Sequence, residues 1–314
     1  MYCANVIQYY CHMTIIPPYL KKGDTIGIVC PAGFMPYEKA ATCIEVLQQW
    51  GYKVRVGKTL GSQLNYFSGT DDERLADLQQ MLDDDSVQAV LCGRGGYGLG
   101  RIVDRINFAR FKKKPKWVIG FSDITVFHAH IYRRFSIGGI HAPMAAAFND
   151  LQYKNEYVQS LKKVLAGKKC KYTAPSHSFN KLGTVTGPLI GGNLSLIAHL
   201  VGTPSALKTK GHILFLEDVG EYIYNIDRML YQLKRSGAFD KVAGVVVGLF
   251  TDMKDTAVPF GSNVYEVLQD VLQEYDFPVC YLFPVSHEKE NYALKIGVNY
   301  QLSVGKSSVT LAEQ

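Results

Sequence analysis

Lys116-Trp117-Val118-Ile119-Gly120-Phe121-Ser122-Asp123-Ile124-Thr125 decides how this chain is read. An apolar run of strand type ends at Gly120, a serine sits on the turn, and a helical pattern continues from Ile124 to Arg134. That order puts a hydroxyl at the carboxyl end of a strand and the amino end of a helix. There, unpaired backbone N–H groups and the helix dipole favour negative charge. A serine so placed suits a nucleophile elbow, with the next residue's N–H receiving the oxyanion. It suits a helix N-cap equally well. The spacing departs from G-x-S-x-G, because Ile124 stands where the last glycine belongs. These ten residues leave both roles open.

Upstream of this stretch, strand and helix patterns alternate. Thr25 to Cys30 is a short buried-strand run ending at Pro31-Ala32-Gly33, and Tyr37 to Trp50 has helical spacing of its apolar residues. Lys53 to Val56 reads as a strand, Asp71 to Leu82 as a helix, Val87 to Cys92 as a strand, and Leu99 to Asn107 as a helix. Repeated strand–helix units call for a mostly parallel sheet covered by helices, Rossmann- or flavodoxin-like in arrangement. Downstream, the polar residues from Asp150 to Lys181 read as a connection. Beyond them come short runs at Gly183 to Leu189, His212 to Leu216, Val245 to Phe250, Tyr281 to Val285 and Lys295 to Val298. The fold expected is therefore α/β, with a nucleophile-bearing domain over 14–150, a linker over 151–181, and a smaller, β-rich α/β domain over 182–314.

Composition narrows the function classes. With 314 residues, 47% hydrophobic and 20% charged, the chain is an ordinary globular protein large enough for two domains. A net charge of +6 is modest, and Lys112, Lys113, Lys114 and Lys116 read as a solvated surface without the stacking aromatics of a nucleic-acid track. Seven scattered cysteines, never in C-x-x-C spacing, suit buried thiols in a reducing compartment. No run approaches the roughly 18–20 apolar residues of a membrane span. Residues 1–12 lack the pattern of a secretory leader, and Met13 is a candidate start. A cytoplasmic location, no membrane partner and no nucleic-acid partner are the expectations.

Open α/β sheets collect functional groups at the carboxyl ends of their strands. The loop after Cys92 reads Gly93-Arg94-Gly95-Gly96-Tyr97-Gly98-Leu99-Gly100, and Gly93, Gly95 and Gly98 satisfy G-x-G-x-x-G literally. One reading is a dinucleotide site. Against it, the first strand–helix unit carries Cys-Pro-Ala-Gly instead, and Arg94 would crowd the turn. The other reading is a set of backbone N–H groups lining a pocket, as an oxyanion hole requires. His128 and His130 point to different faces of a helix, and His141 does not complete a metal site, so no metal is expected. Asp83-Asp84-Asp85 marks a solvated turn. Glu217 closes the run His212 to Leu216, and His287 closes Leu282 to Ser286. Each alone suits a cap or surface residue. Together, Ser122, Glu217 and His287 each end an apolar run in the chain order of α/β-hydrolases.

These stretches are similar to the LD-carboxypeptidase family of serine peptidases, which includes muramoyl-tetrapeptide carboxypeptidase and the microcin-immunity hydrolases. The matching segments are Lys22 to Gly33, Gly93 to Gly98, Gly120 to Thr125, Gly187 to Leu194, Leu214 to Asp218 and Pro284 to His287. The resemblance implies a two-domain homodimer with its site in the cleft between domains and no cofactor. It implies Ser122 as nucleophile, His287 as general base, Glu217 as the group orienting the imidazole, and the N–H groups of Gly96 and Asp123 as the oxyanion hole. Ser286 departs from the glycine usual in the family. The implied reaction removes a terminal D-amino acid from murein tetrapeptides in cell-wall recycling. Arg94, Gly95 and Asn193 are expected to receive the terminal carboxylate. The alternatives are a family amidase acting on peptidyl- or aminoacyl-sulfamoyl adenylates, with Tyr97, Tyr222 or Tyr224 as the aromatic platform, and a nucleotide-binding module using the glycine loop.

Overall fold

The computed structural model describes residues 13–314; the expected start at Met13 and the preceding Cys3 and Cys11 turn on residues 1–12, outside the described residues. In chain order the first half runs β1 (Thr25–Val29), α1 (Glu38–Gln49), β2 (Lys53–Val56), α2 (Asp71–Asp83), β3 (Ala89–Cys92), α3 (Ala109–Lys113), β4 (Trp117–Ile119), α4 (Thr125–Phe135), β5 (Gly139–His141) and α5 (Glu156–Leu165). The second half runs β6 (Lys171–Pro175), β7 (Gly183–Asn193), α6 (Leu194–His199), β8 (Ile213–Val219), α7 (Ile223–Arg235), β9 (Gly244–Thr251), α8 (Val264–Leu272), β10 (Val279–Cys280), β11 (Leu294–Ile296), β12 (Asn299–Val304) and β13 (Ser308–Glu313).

The strands form two sheets. The first has the order β11-β5-β4-β3-β1-β2, parallel throughout except for β11, which joins β5 antiparallel. The second has the order β10-β9-β8-β7-β12-β13-β6, parallel on the β10 side and antiparallel from β7 to β6. β1, β3 and β4 are nearly continuous apolar runs because helices cover both faces of a parallel sheet. One apolar core takes Trp117, Ile119 and Ile140 from the first sheet together with Leu189, Phe215 and Val246 from the second. This shared core holds the two carboxyl-end edges at fixed positions.

Four stretches differ from the sequence-based expectation or add to it. The segment 151–181, expected as a linker, carries α5 and β6, and β6 closes the edge of the second sheet. Four buried residues of α5, Val158, Leu161, Val164 and Leu165, belong to the shared core. Leu99 to Asn107 is not an α-helix but two short 3-10 turns, Leu99–Arg101 and Val103–Arg105. Gly98, with φ +146°, and Gly100 disfavour a regular first turn. Tyr281 to Val285 is irregular and not a strand, because Leu282 lies at φ 58° and Pro284 removes a donor. The run at Lys295 leaves the second half altogether and pairs as β11 with the first sheet.

The order of the first sheet reverses at β1, which lies between β2 and β3 although β3 follows β2 in the chain. Such a switch point opens a crevice at the carboxyl ends of the strands. The loops after β1 and β3 meet there, with Gly33 N–H donating to Gly95 O at 2.9 Å.

Candidate active site

Ser122 follows β4 directly. Phe121 is extended, Ser122 takes φ 62°, and residues 122–124 wind a 3-10 turn into α4. A non-glycine residue in the left-handed region is held there at a cost of order 1 kcal/mol or more, and such residues cluster at functional sites. The glycine loop lies against this turn. A Cβ on Gly95 would fall 2.9 Å from Ser122 Cβ, 3.1 Å from its Oγ and 3.2 Å from Asp123 N. Only a glycine permits that approach. Because Gly95 O accepts from Gly33, the N–H of Gly96, in the same planar peptide, points to the opposite side.

Buried charge holds the loop in place. Asp123 is almost fully buried, and its Oδ2 accepts from Leu99 N–H at 2.8 Å. Burial raises its pKa to about 6, against the lowering effect of the Leu99 bond and of Arg74. Arg74 is fully buried on α2 and donates to Pro31 O at 2.6 Å and Gly98 O at 3.1 Å, tying together the loops after β1 and β3. The loop therefore opens into 3-10 turns clamped by side chains. It lacks the α-helix N-terminus on which a pyrophosphate would rest, which removes the structural basis of the dinucleotide reading.

The second sheet supplies the acid and the imidazole. β8 carries an irregularity between Leu216 and Asp218, so the two consecutive acids leave the strict alternation of the strand. Glu217 is fully buried, and its Oε2 lies 2.5 Å from His287 Nδ1. Its Oε1 is buried with no hydrogen-bond partner among the described residues. Burial of the imidazole works to lower the His287 pKa, but the Glu217 carboxylate outweighs it, aided by Asp218 and Glu288, and the net shift is upward. Phe121 packs edge-on against the same ring, with centroids 5.0 Å apart.

Ser122 and His287 face one cleft of about 510 Å³, whose wall includes Gly96, Asp123, Asn193 and Asp218. The structure thus brings together the sequence-expected Ser122, His287 and, through the imidazole, Glu217. The expected carboxylate receivers are split. Asn193 lines this cleft, whereas Arg94 lines a second cavity on the other side of His287. Asn193 is also committed elsewhere: its Nδ2 donates to Asp218 Oδ1 at 2.8 Å and its Oδ1 caps α6. Of the three expected tyrosines, Tyr97 lines the cleft and is 52% exposed. Tyr222 and Tyr224 are not in its wall; they pack on each other, with ring centroids 5.5 Å apart.

Several contributors were not expected from sequence. Asp218 accepts from Asn193, from Ser195 N–H and from its neighbour Val219 N–H, and burial with Glu217 alongside raises its pKa to about 6. Thr125 Oγ1 accepts from Asn193 N–H, joining the Ser122 turn to the second sheet. His141 is buried and lies 3.1 Å from Asn291 Oδ1; burial lowers its pKa to about 3 and keeps it neutral. The signal for Asp218 was present in the pair Glu217-Asp218, but nothing local distinguishes Asn291. No group of three or more side chains suited to a metal occurs among the described residues.

Family models match both halves of the chain: the LD-carboxypeptidase N-terminal domain over residues 26–142 and the C-terminal domain over 186–302. The probable murein peptide carboxypeptidase of Bacillus subtilis is 35% identical over 298 residues, covering 94% of this chain and 93% of its own. The chain belongs to the LD-carboxypeptidase family. It is accordingly a serine-type carboxypeptidase, a hydrolase. Among solved structures, the muramoyltetrapeptide carboxypeptidase of Oxalobacter formigenes superimposes with a TM-score of 0.84 at 28% identity, covering 92% of this chain and 98% of its own. The Escherichia coli microcin C7 self-immunity protein MccF is 28% identical over 94% of this chain and 95% of its own. A structure of MccF in complex with aspartyl sulfamoyl adenosine superimposes with a TM-score of 0.85 at 25% identity, covering 96% and 99%. Among the described residues, no helix is long and apolar enough to cross a membrane.

Proposed function

We propose that this LD-carboxypeptidase is a cytoplasmic enzyme that removes the terminal D-alanine from murein tetrapeptides, by a Ser122–His287–Glu217 triad and an acyl-enzyme. The observation that carries the reading is one cleft faced by both a serine on a strained turn and an imidazole bonded to a buried carboxylate. With its Nδ1 proton donated to Glu217, His287 presents the lone pair of Nε2 as general base. Ser122 Oγ loses its proton to Nε2 and attacks the scissile carbonyl, while Gly96 and Asp123 N–H groups receive the oxyanion. The imidazolium then protonates the departing amine. Water, deprotonated by the same imidazole, hydrolyses the acyl-enzyme and restores Ser122.

Glu217 does not need to take the proton for this sequence to run. Its buried charge fixes the tautomer and stabilises the imidazolium that forms in each half-reaction. A homodimer belongs to the same reading, and sedimentation of the full chain at twice the monomer mass is the result expected of it. The direct test is mass spectrometry of a murein tetrapeptide after incubation. Loss of D-alanine by the wild type, lowered about 10^4–10^6-fold in Ser122→Ala with an unchanged circular dichroism spectrum, is the expected result. An intact tetrapeptide with the wild-type protein rejects the reading.

Tyr97 favours a second reading. Its ring is an exposed flat surface in the cleft, suited to stacking a nucleobase, and MccF has been solved with aspartyl sulfamoyl adenosine. In that reading the same residues hydrolyse an aminoacyl-sulfamoyl adenylate. Turnover of such a compound with the tetrapeptide left intact would select it.

A further inference from the structure

His287 borders two cavities. One is the cleft with Ser122; the other, about 480 Å³, lies beyond the imidazole and is lined by Lys39, Arg94, Phe121 and Asn291 among others. Three stretches of chain pass from one to the other. Gly93 and Arg94 face the second cavity whereas Gly96 and Tyr97 face the cleft; Phe121 faces the second cavity whereas Ser122 faces the cleft; and His287 faces both. The nucleophile and the base therefore stand on the seam between two compartments. A bond cleaved there leaves its acyl part on one side and its leaving group on the other.

The two compartments have opposite polarity. The cleft wall contains Asp104, Asp123, Asp218 and Glu221, and no lysine or arginine. The second cavity brings Lys39 and Arg94 to its lining, and its Asp150 is already paired with Lys289 at 3.2 Å. Its wall also holds an unanswered donor. Asn291 is 2% exposed, its Oδ1 is engaged by His141 Nε2, and its Nδ2 has no hydrogen-bond partner among the described residues. A buried amide N–H left unpaired costs about 1–3 kcal/mol, which a bound acceptor would recover.

We propose that the second cavity binds the leaving amino acid as a free α-amino acid, its carboxylate held by Arg94, Lys39 and Asn291 Nδ2. This rests on the carboxypeptidase reading and adds the location and chemistry of the leaving-group site. A terminal carboxylate meets repulsion in the acidic cleft and complementary charge beyond His287. Glu288, next in the chain to the base and also in this lining, suits the ammonium that forms when His287 hands its proton to the departing nitrogen. Asn193, on the acidic side and already bonded to Asp218, has no part in carboxylate binding.

The test is ligand-observed NMR titration of the full-chain Ser122→Ala protein with D-alanine and with D-alaninamide, which lacks the carboxylate. D-alanine is expected to bind saturably, and the amide at least about tenfold more weakly, the scale of one charge-assisted hydrogen bond. Arg94→Ala should weaken D-alanine about tenfold and leave the amide unchanged. Arg94 is exposed, so its variant keeps the fold, and a circular dichroism spectrum checks this. Absence of saturable D-alanine binding, equal binding of acid and amide, or indifference to Arg94→Ala overturns the proposal. Each of these outcomes is independent of whether the wild type cleaves a tetrapeptide, so the two readings fail separately.

Discussion

The two sheets contribute to the site by different physical means. The first sheet contributes backbone: a serine held at φ 62°, a glycine loop pressed to within van der Waals contact of it, and N–H groups aimed by turns. The second contributes charge: two consecutive buried acids at an irregularity in β8, and an imidazole whose pKa both of them raise, Glu217 the more strongly. Backbone geometry is set by local sterics and resists small perturbation. Buried charge has long reach and depends on every neighbour that excludes water. Mutations on the two sides should consequently leave different signatures, one in rate alone and the other in rate and pH dependence together.

Of the changes that separate the two halves, Glu217→Gln has the largest effect. The amide keeps the size but supplies no charge to favour the imidazolium and does not fix the tautomer, so turnover should fall about 10^4-fold. The pH profile should move as well. In the wild type, His287 must be neutral to accept the serine proton, and its raised pKa places the acid limb of kcat/KM above the ordinary imidazole value of 6.5. With the carboxylate gone, burial remains and lowers the pKa, so the limb should shift to lower pH while the rate drops. A fall in rate with an unmoved limb would mean that Glu217 does not set the imidazole's charge.

Gly95→Ala probes the backbone side. Its Cβ would lie 2.9 Å from Ser122 Cβ, closer than packed atoms tolerate, and the loop or the serine must retreat by a few tenths of an ångström. A misplacement of about 1 Å can cost about 10^2-fold, so a shift of this smaller size should lower turnover by about tenfold. The acid limb should stay where it is in the wild type. If the limb moved as it does in Glu217→Gln, the division between a backbone half and a charge half would collapse.

The same division governs what could be read from sequence. The first four strands of the first sheet were legible, because β1, β3 and β4 are buried apolar runs, the exposed β2 alternates polar and apolar residues, and α1 and α2 show helical periodicity between them. Ser122 was legible because strand, turn and helix are consecutive. In the second half, β7, β8 and β9 matched their apolar patterns, while β6 lay hidden in a polar stretch as an edge strand with alternate residues exposed. β11 matched in position but not in partner, since nothing local tells a three-residue strand which sheet it will complete. Asn291 was silent for a related reason: its meaning comes from a contact 150 residues away with His141. Arg94 and Asn193 were both recognisable as polar groups near glycines. Their separation onto opposite sides of His287 depends on how two sheets pack, which periodicity does not encode.

The smallest effect is expected at Asp218, and it appears in stability. Its folded pKa of about 6 lies above the ordinary 3.8, so the folded state holds its proton more tightly than the unfolded chain. For a group raised in this way, the favourable contribution is complete below pH 3.8 and disappears as pH rises to 6; above that the buried charge carries a constant penalty. Two units correspond to at most about 3 kcal/mol, and the three N–H donors it accepts from have already been counted in the net shift. Asp218→Asn removes the ionisation but offers one acceptor oxygen where the carboxylate offered two to its three N–H donors, which costs about 1–3 kcal/mol as a lost bond. The two effects nearly cancel at pH 8. The measurement that separates them is the difference in Tm between variant and wild type at pH 4 and at pH 8. The variant should be the less stable protein at pH 4 and close to the wild type at pH 8. A difference that stays constant across that range would mean that Asp218 does not change its charge there, and that the second sheet's acids act through hydrogen bonds alone.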